Sequence, residues 1–493
     1  MHKTVTKILT LLLVCVTVIT PLTSCSEDAA NKTTENTVSG DTQPPPKIDP
    51  LAERKSIDDR LPEKNLDGYE LRVHARDNEI DTIFAEEENG EPVNDALVRM
   101  HRSVDERFDA TMKIYNSELG DHDQVNEIKK LISSDDGSYN LAAGHDVLLS
   151  VLTLENYFVN IYNLPYQNFD QPWWSGVDDL TFMGQCYLIT SDMSYQGIKG
   201  AKVLFINKDI MKDYGIEMPY QQVFDGKWTL DSLIAISKDI YEDLNGNNEA
   251  DEEDLYGLLT EPEMFGYLDS FDLDTFVRDG DMLHVNFDLN KFNDIVTKMY
   301  QYLCESKGAK TTGVGCDFGM EEFMNRKTMI FHENVGVAVS NLRFVENLDY
   351  GILPMPKWDE KQEAYKTAGT FYPFVIPSSL DESEYENTSL LLEAYSAESY
   401  KQVLPAYFEI ALKQKYTTDN ESMRVLDIVK EAQFVSFAYA YENGQGFNVC
   451  MSNIFNTGGP NGASYYEKNV KRAAKQAEKV QKAFEKMAEE QGL

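Results

Sequence analysis

The chain has 493 residues, 42% of them hydrophobic and 11% aromatic, which suffices for two or three cores and excludes global disorder. Asp and Glu number 83 against 45 Lys and Arg, and the resulting charge of −38 repels phosphate backbones, so nucleic acid is not an expected partner.

The N-terminus, MHKTVTKILTLLLVCVTVITPLTSC, carries Lys3 and Lys7, an apolar run from Ile8 to Ile19, and then small residues. That run is short for a bilayer span and has the organisation of a secretory signal. Leu22-Thr23-Ser24-Cys25 resembles the end of a bacterial lipoprotein signal, so residues 1–24 are expected to be removed and Cys25 to carry the lipid. The competing reading is a plain signal with an incidental cysteine. Residues 25–64 are rich in Ser, Thr, Asn, Asp and Pro and read as a flexible tether. An extracytoplasmic, lipid-anchored protein is the consequence. Of the other cysteines, Cys15 leaves with the signal, and Cys186, Cys304, Cys316 and Cys450 have no metal-ligand spacing. Cys304 and Cys316 either pair or stay free.

In GYELRVHARD, Leu71, Val73 and Ala75 alternate with polar neighbours, which predicts a strand. GEPVNDALVRMHRSVDERFDA spaces Val93, Ala96, Leu97, Met100 and Val104 as a helix does, and HDVLLSVL after Gly144 reads as a short buried strand. Strand, helix and strand in succession predict a parallel sheet. Next comes Gln171-Pro172-Trp173-Trp174; adjacent side chains on extended chain point opposite ways, so one tryptophan packs inward and the other faces a ligand, unless both are core.

KVLFIN is a buried strand, and WTLDSLIAISKDIYEDL a helix with Leu233, Ile236 and Ile240 on one face. It runs into DLNGNNEADEED, where Asp243, Asn245, Asn247, Asp251 and Asp254 offer oxygen ligands at calcium-loop spacing, with the Glu249 carbonyl at the seventh position. Asn248 stands where such loops carry glycine, and Pro262 precludes a long exit helix. Calcium would therefore fasten the segment rather than drive a switch; a metal-free acidic turn is the alternative. TMIF is a strand leading to His332-Glu333, and YGILPMP leads into a loop. In the mainly helical last third, Val470, Ala473, Ala477, Val480, Phe484 and Met487 form a stripe that packs on its own domain. No G-x-S-x-G, H-E-x-x-H or C-x-x-C motif occurs.

The phrases IFAEEENGEPVNDAL, LPYQNFDQPWW, VLFINKDIMKDYGIEMPY, DGKWTLDSLIAISKDI, FMNRKTMIF and DYGILPMPK, taken in order between about Gly68 and Gln433, resemble bacterial extracellular solute-binding proteins of ABC importers, the maltose-binding-like class. The resemblance implies an α/β, two-lobed periplasmic-binding-protein-like fold with interleaved lobes, a hinge and a ligand cleft. Crossings are expected near Thr190 to Gln196, Asn325 to Thr328 and Gly369 to Pro377. The first lobe would hold residues 65–190 plus 328–370, the second 191–327 plus 371–493. The implied protein is not an enzyme: it captures a small solute and delivers it to ABC permease subunits. A neutral oligosaccharide fits best, because an exposed indole suits a sugar face and the acid excess disfavours anions. The expected ligand contacts are Arg76, Asp77, Trp173, Trp174, His332, Glu333, Phe371 and Tyr372. Two other classes stay open, a secreted lipoprotein glycoside hydrolase and a calcium-dependent adhesion or assembly module. Ligand identity does not transfer, because the acidic stretch from Asn245 to Leu273 looks like an insertion.

Overall fold

The computed structural model describes residues 50–492 apart from 135–136, 262–263, 312–316 and 418. The signal, Cys25 and the tether as far as residue 49 lie outside the described residues, as does Cys316, so the proposed cysteine pair is not described. Among the described cysteines, Cys186 and Cys450 are buried free thiols and Cys304 is an exposed one.

Tyr69–Ala75 is the central strand of the first sheet because Leu71, Val73 and Ala75 are wholly buried. It pairs in parallel with Ala110–Asn116 on one side and Leu141–Ala143 on the other, and Phe374–Val375 closes that second edge antiparallel. The helix Pro92–Phe108 connects the first two strands: proline at its start costs no hydrogen bond, and Asp109, with φ of 51°, ends it in a left-handed turn. Ala96, Leu97, Met100, Val104 and Phe108 are its buried face.

The second sheet is mixed, in the order Tyr350–Pro354, Lys202–Asn207, Thr328–Asn334, Leu255–Thr260, Tyr241–Glu242, with Ala309–Thr311 also on Leu255–Thr260. Every residue of Lys202–Asn207 and of Leu255–Thr260 is buried, as expected of strands covered on both faces. Helix Leu230–Ser237 starts with the Thr229 hydroxyl accepting from the Ser232 N–H.

Each sheet has its own hydrophobic core, and the chain passes between them repeatedly. Residues up to Met193 fill the first core, and Ile198 begins the second. The chain reaches the first core at Phe276 and Leu283, returns to it between Met355 and Phe371, leaves again between Val403 and Tyr407, and re-enters at Phe437. Helix Gly462–Gln491 spans both, with Ala473 in the second core and Ala477, Val480, Phe484 and Met487 in the first, so the C-terminal stripe packs across both lobes rather than on one domain. No described helix is long and apolar enough to cross a membrane.

Several expectations need correction. Asn325 to Thr328 is no crossing: Thr328–Asn334 pairs with Lys202–Asn207 and Leu255–Thr260, so residues 328–355 belong to the second lobe. Conversely, much of 371–403, as well as Phe437 to Tyr441 and Ala477 to Met487, belongs to the first. The tether ends before residue 50: Pro50–Lys55 is helical, Arg54 donates to the Tyr400 carbonyl at 3.4 Å, and Asp59 is ion-paired with Arg107 at 2.5 Å. The supposed strand HDVLLSVL is the helix Asp146–Thr153, the strand being Leu141–Ala143 before it. A short apolar run does not distinguish the two, and here Leu149 and Leu152 are buried at helical spacing. The supposed acidic insertion contains the central strand Leu255–Thr260.

Candidate functional site

In open α/β sheets ligands collect outside the carboxyl ends of the strands. For the first sheet those ends lead to Arg76, Ser117 and Gly144-His145. Arg76 is held by two carboxylates, Glu79 and Asp121, each at 2.5 Å, and its guanidinium lies 5.6 Å from the centre of the Tyr372 ring. The His145 ring follows, 6.1 Å from Tyr372 and 6.4 Å from Tyr439. Burial disfavours the His145 cation, but the Asp146 carboxylate, 2.9 Å from Nδ1, outweighs it and raises its pKa.

The facing edge of the second sheet brings together three charges from three strands. Leu255–Thr260 leads to Glu261, Thr328–Asn334 carries Glu333 near its end, and the antiparallel Lys202–Asn207 begins there. Lys202 Nζ consequently sits 3.3 Å from Glu261 and 3.5 Å from Glu333, and 5.9 Å from the centre of the Phe265 ring. One cation between two carboxylates leaves acceptor capacity for hydroxyl donors.

The lobes meet where Phe265 packs 4.2 Å from Tyr439. Tyr439 stands on helix Phe437–Glu442, anchored in the first core by Phe437, Ala438, Ala440 and Tyr441. A continuous line of side chains thus runs from Arg76 through Tyr372, His145, Tyr439 and Phe265 to Lys202. Beside it opens a cavity of about 400 Å³ bordered by Asp121, His122, His145, Leu148, Tyr439 and Asn443, within the size range of small-molecule sites. Below it, Asn448 links two buried acids: its N–H donates to Glu442 at 2.8 Å and its side-chain amide to Asp269 at 3.2 Å. Thr275 and Ser436 hydroxyls complete the pair, donating to Glu442 and Asp269 at 2.5 and 3.0 Å. Burial nevertheless pushes the Glu442 carboxyl up to about 7 and that of Asp269 to about 6.

Of the residues expected to contact ligand, Arg76 and Tyr372 come together in the cleft, and Glu333 joins the Lys202 cluster. Phe371 is buried among the crossing segments. Asp77 is exposed and accepts from the Asn116 amide at 2.5 Å. His332 is buried in the second core: it is 1% exposed, 3.0 Å from the Thr260 hydroxyl and 4.9 Å from the Tyr267 ring, and burial, with Lys202 adding, lowers its pKa well below the usual value. The tryptophans are corrected most sharply. Trp173 and Trp174 are 0% and 5% exposed, and both indole N–H groups donate to Glu393 at 2.8 Å. The sequence makes them a sugar platform only by leaving Glu393 out of view, 219 residues from Trp174. His145, Lys202, Glu261, Phe265 and Tyr439 were not anticipated; the one local signal is the Ala143-Gly144-His145 turn from strand to helix.

Asp243 to Asp254 joins Tyr241–Glu242 to Leu255–Thr260 as the loop of an antiparallel hairpin, so the expected incoming helix is replaced by a strand, the helix having stopped at Ser237. Asp243 accepts from the Gly246 and Asn248 N–H groups at 2.7 and 2.9 Å. Asn248 is left-handed, with φ of 62°. Asp254 turns to the Leu244 and Asp251 N–H groups and the Tyr241 hydroxyl. Among the described residues no group of three or more His, Cys, Asp or Glu side chains is gathered as metal ligands.

No protein-family model matches the chain, and no curated protein does. Solved structures do. A galacto-N-biose/lacto-N-biose I-binding protein of an ABC transporter from Bifidobacterium longum is 14% identical, with a TM-score of 0.52 over 87% of this chain and 99% of its own. A sugar transporter protein from Rhizobium etli in an open conformation is 10% identical, with a TM-score of 0.53 over 83% and 99%. An ABC transporter solute-binding protein from Agrobacterium radiobacter, in complex with ribitol, is 13% identical, with a TM-score of 0.50 over 85% and 99%. The chain has the two-lobed fold of these binding proteins.

Proposed function

We propose that this protein captures a small neutral solute, an oligosaccharide, between its lobes and hands it to the subunits of an ABC permease, held outside the cell by a lipid on Cys25. The observation that carries the reading is the line of side chains from Arg76 to Lys202. It draws on both lobes, as a ligand that closes them requires. Tyr372, Tyr439 and Phe265 offer flat apolar faces to sugar C–H groups, in place of the tryptophans. Asp121, His145, Glu261 and Glu333 offer hydroxyl partners, and their negative balance disfavours anionic solutes. The likeness to sugar-binding proteins supports binding without turnover. A thermal-shift screen of neutral oligosaccharides tests it: a ligand at 100 times its Kd adds about 2.7 kcal/mol of stability. For the anchor, Cys25→Ala should move the protein from the membrane pellet to the supernatant, and persistence in the pellet counts against it.

We also propose that Asp243 to Asp254 binds calcium as a clasp on its hairpin. The left-handed Asn248 and the Asp243 carboxylate bonded to two loop N–H groups support this reading.

A further inference from the structure

A second cavity, of about 220 Å³, lies among the crossing segments and shares Tyr372 with the cleft. Its walls come from Ile189–Ile198, Gly369–Phe374 and Gln433–Val435, three of the stretches that join the lobes. These stretches are tied to one another. Gln196 donates to the Thr370 carbonyl at 3.2 Å, Gln433 donates to the Gly197 carbonyl, and Ala201 bridges to Gly369. The approach is so close that a Cβ on Gly200 would stand 2.0 Å from the Thr370 oxygen.

The lining combines an apolar shell with a charged pair of poles. Ile189, Ile198, Leu404, Phe434 and Val435 supply the shell. Asp192 supplies a carboxylate and Lys430 and Arg54 supply cations, and all three line the same space; Arg54 also donates to the Tyr400 carbonyl at 3.4 Å, and Lys430 Nζ lies 4.9 Å from the centre of the Phe408 ring. Burial lifts the Asp192 carboxyl to about 7, with Lys430 and Arg54 pulling it back. Two further polar atoms point to an occupant. Gln196 is 7% exposed and its Oε1 accepts no hydrogen bond, and the buried Thr190 hydroxyl has no partner. Buried polar atoms are normally satisfied, so Gln196 Oε1 marks a missing donor and the Thr190 hydroxyl a missing partner.

Charge and size select the ligand. A simple cation meets Lys430 and Arg54, a simple anion meets Asp192 and Asp179, and only a zwitterion satisfies both poles. A dry cavity of about 150 Å³ holds benzene, so this one holds a molecule of about nine non-hydrogen atoms. We propose that the hinge cavity binds a free aliphatic amino acid, its ammonium on Asp192 and Gln196 Oε1, its carboxylate on Lys430 and Arg54, and its side chain against Ile189, Ile198 and Phe434.

Titration calorimetry of the purified mature chain with leucine, valine and methionine tests the proposal, with leucinamide and N-acetyl-leucine as controls. At least one amino acid should bind saturably, and both blocked derivatives should fail. Asp192→Asn and Lys430→Gln should each weaken binding at least tenfold, while Tyr439→Ala, in the cleft, leaves it intact. Should Asp192→Asn lose its fold by circular dichroism, Lys430→Gln alone decides. No saturable binding up to about 10 mM overturns the proposal. So does a loss on Tyr439→Ala with Asp192→Asn and Lys430→Gln unaffected, which places the amino acid in the cleft.

Discussion

The Phe265 ring of the second lobe rests 4.2 Å from the Tyr439 ring presented by the first. The contact joins the two lobes, so on the proposed function a solute entering between them has to part the rings. Aromatic pairs add about 0.5–1.5 kcal/mol beyond their buried area. Tyr439→Ala should therefore favour the open lobes, enlarge the radius of gyration of the unliganded protein in solution scattering, and weaken solute binding at least tenfold. An unchanged radius with unchanged affinity would show that Tyr439 is no part of the site.

The tryptophan pair makes the opposite prediction. Trp173 and Trp174 share Glu393, which is fully buried and whose carboxyl burial lifts to about 7 against the pull of both indoles. Truncating either one opens a cavity and unpairs a bond to Glu393, so each alanine variant should lose about 3–5 kcal/mol in urea unfolding. Solute affinity should hold in whichever variant folds. Loss of affinity without loss of stability in one of them would restore it as a ligand platform.

How much of this was legible follows from the range over which each signal acts. Leu71, Val73 and Ala75 announce their strand by alternation alone. The stretch 328–355 was assigned to the wrong lobe because strand pairing is not a local property: nothing in TMIF says that its neighbour is Lys202–Asn207. The cleft was half visible for the same reason. Arg76 ends a strand and is found by counting, whereas Tyr439 reaches the site only because a helix near the C-terminus packs into the first core.

Stability should fall as the pH rises towards neutrality. Glu442 and Asp269 keep folded pKa values of about 7 and 6, raised by burial above those of the unfolded chain. Between about pH 4 and 7 the native state thus binds more protons, so unfolding free energy declines across that window and flattens above it. Glu393 and Asp192, also lifted to about 7, act in the same direction, whereas His101, lowered by burial to about 4, and His332 act against them below about pH 6.5. Glu442→Gln should shallow the decline in urea midpoints measured at pH 5 and pH 7.5. An equal slope in the two proteins would mean that Glu442 ionises as freely in the fold as out of it.

Calcium, if the clasp holds it, should act on stability and not on solute. The loop enters Leu255–Thr260 at the end remote from Glu261, about 20 Å away at 3.3 Å per residue. A chelator should lower the melting temperature, and Asp243→Ala should remove that response while leaving solute affinity within about twofold. Identical melting with and without chelator disposes of the metal.

Direct titration of the purified protein with a panel of neutral oligosaccharides, each recovered afterwards and sized, bears on the central claim most closely. The account predicts that at least one sugar binds with a Kd of about 1 μM or tighter, is recovered whole, and loses at least tenfold in affinity on Tyr439→Ala. Recovery of shortened sugars, or no saturable binding by any member of the panel, would contradict it.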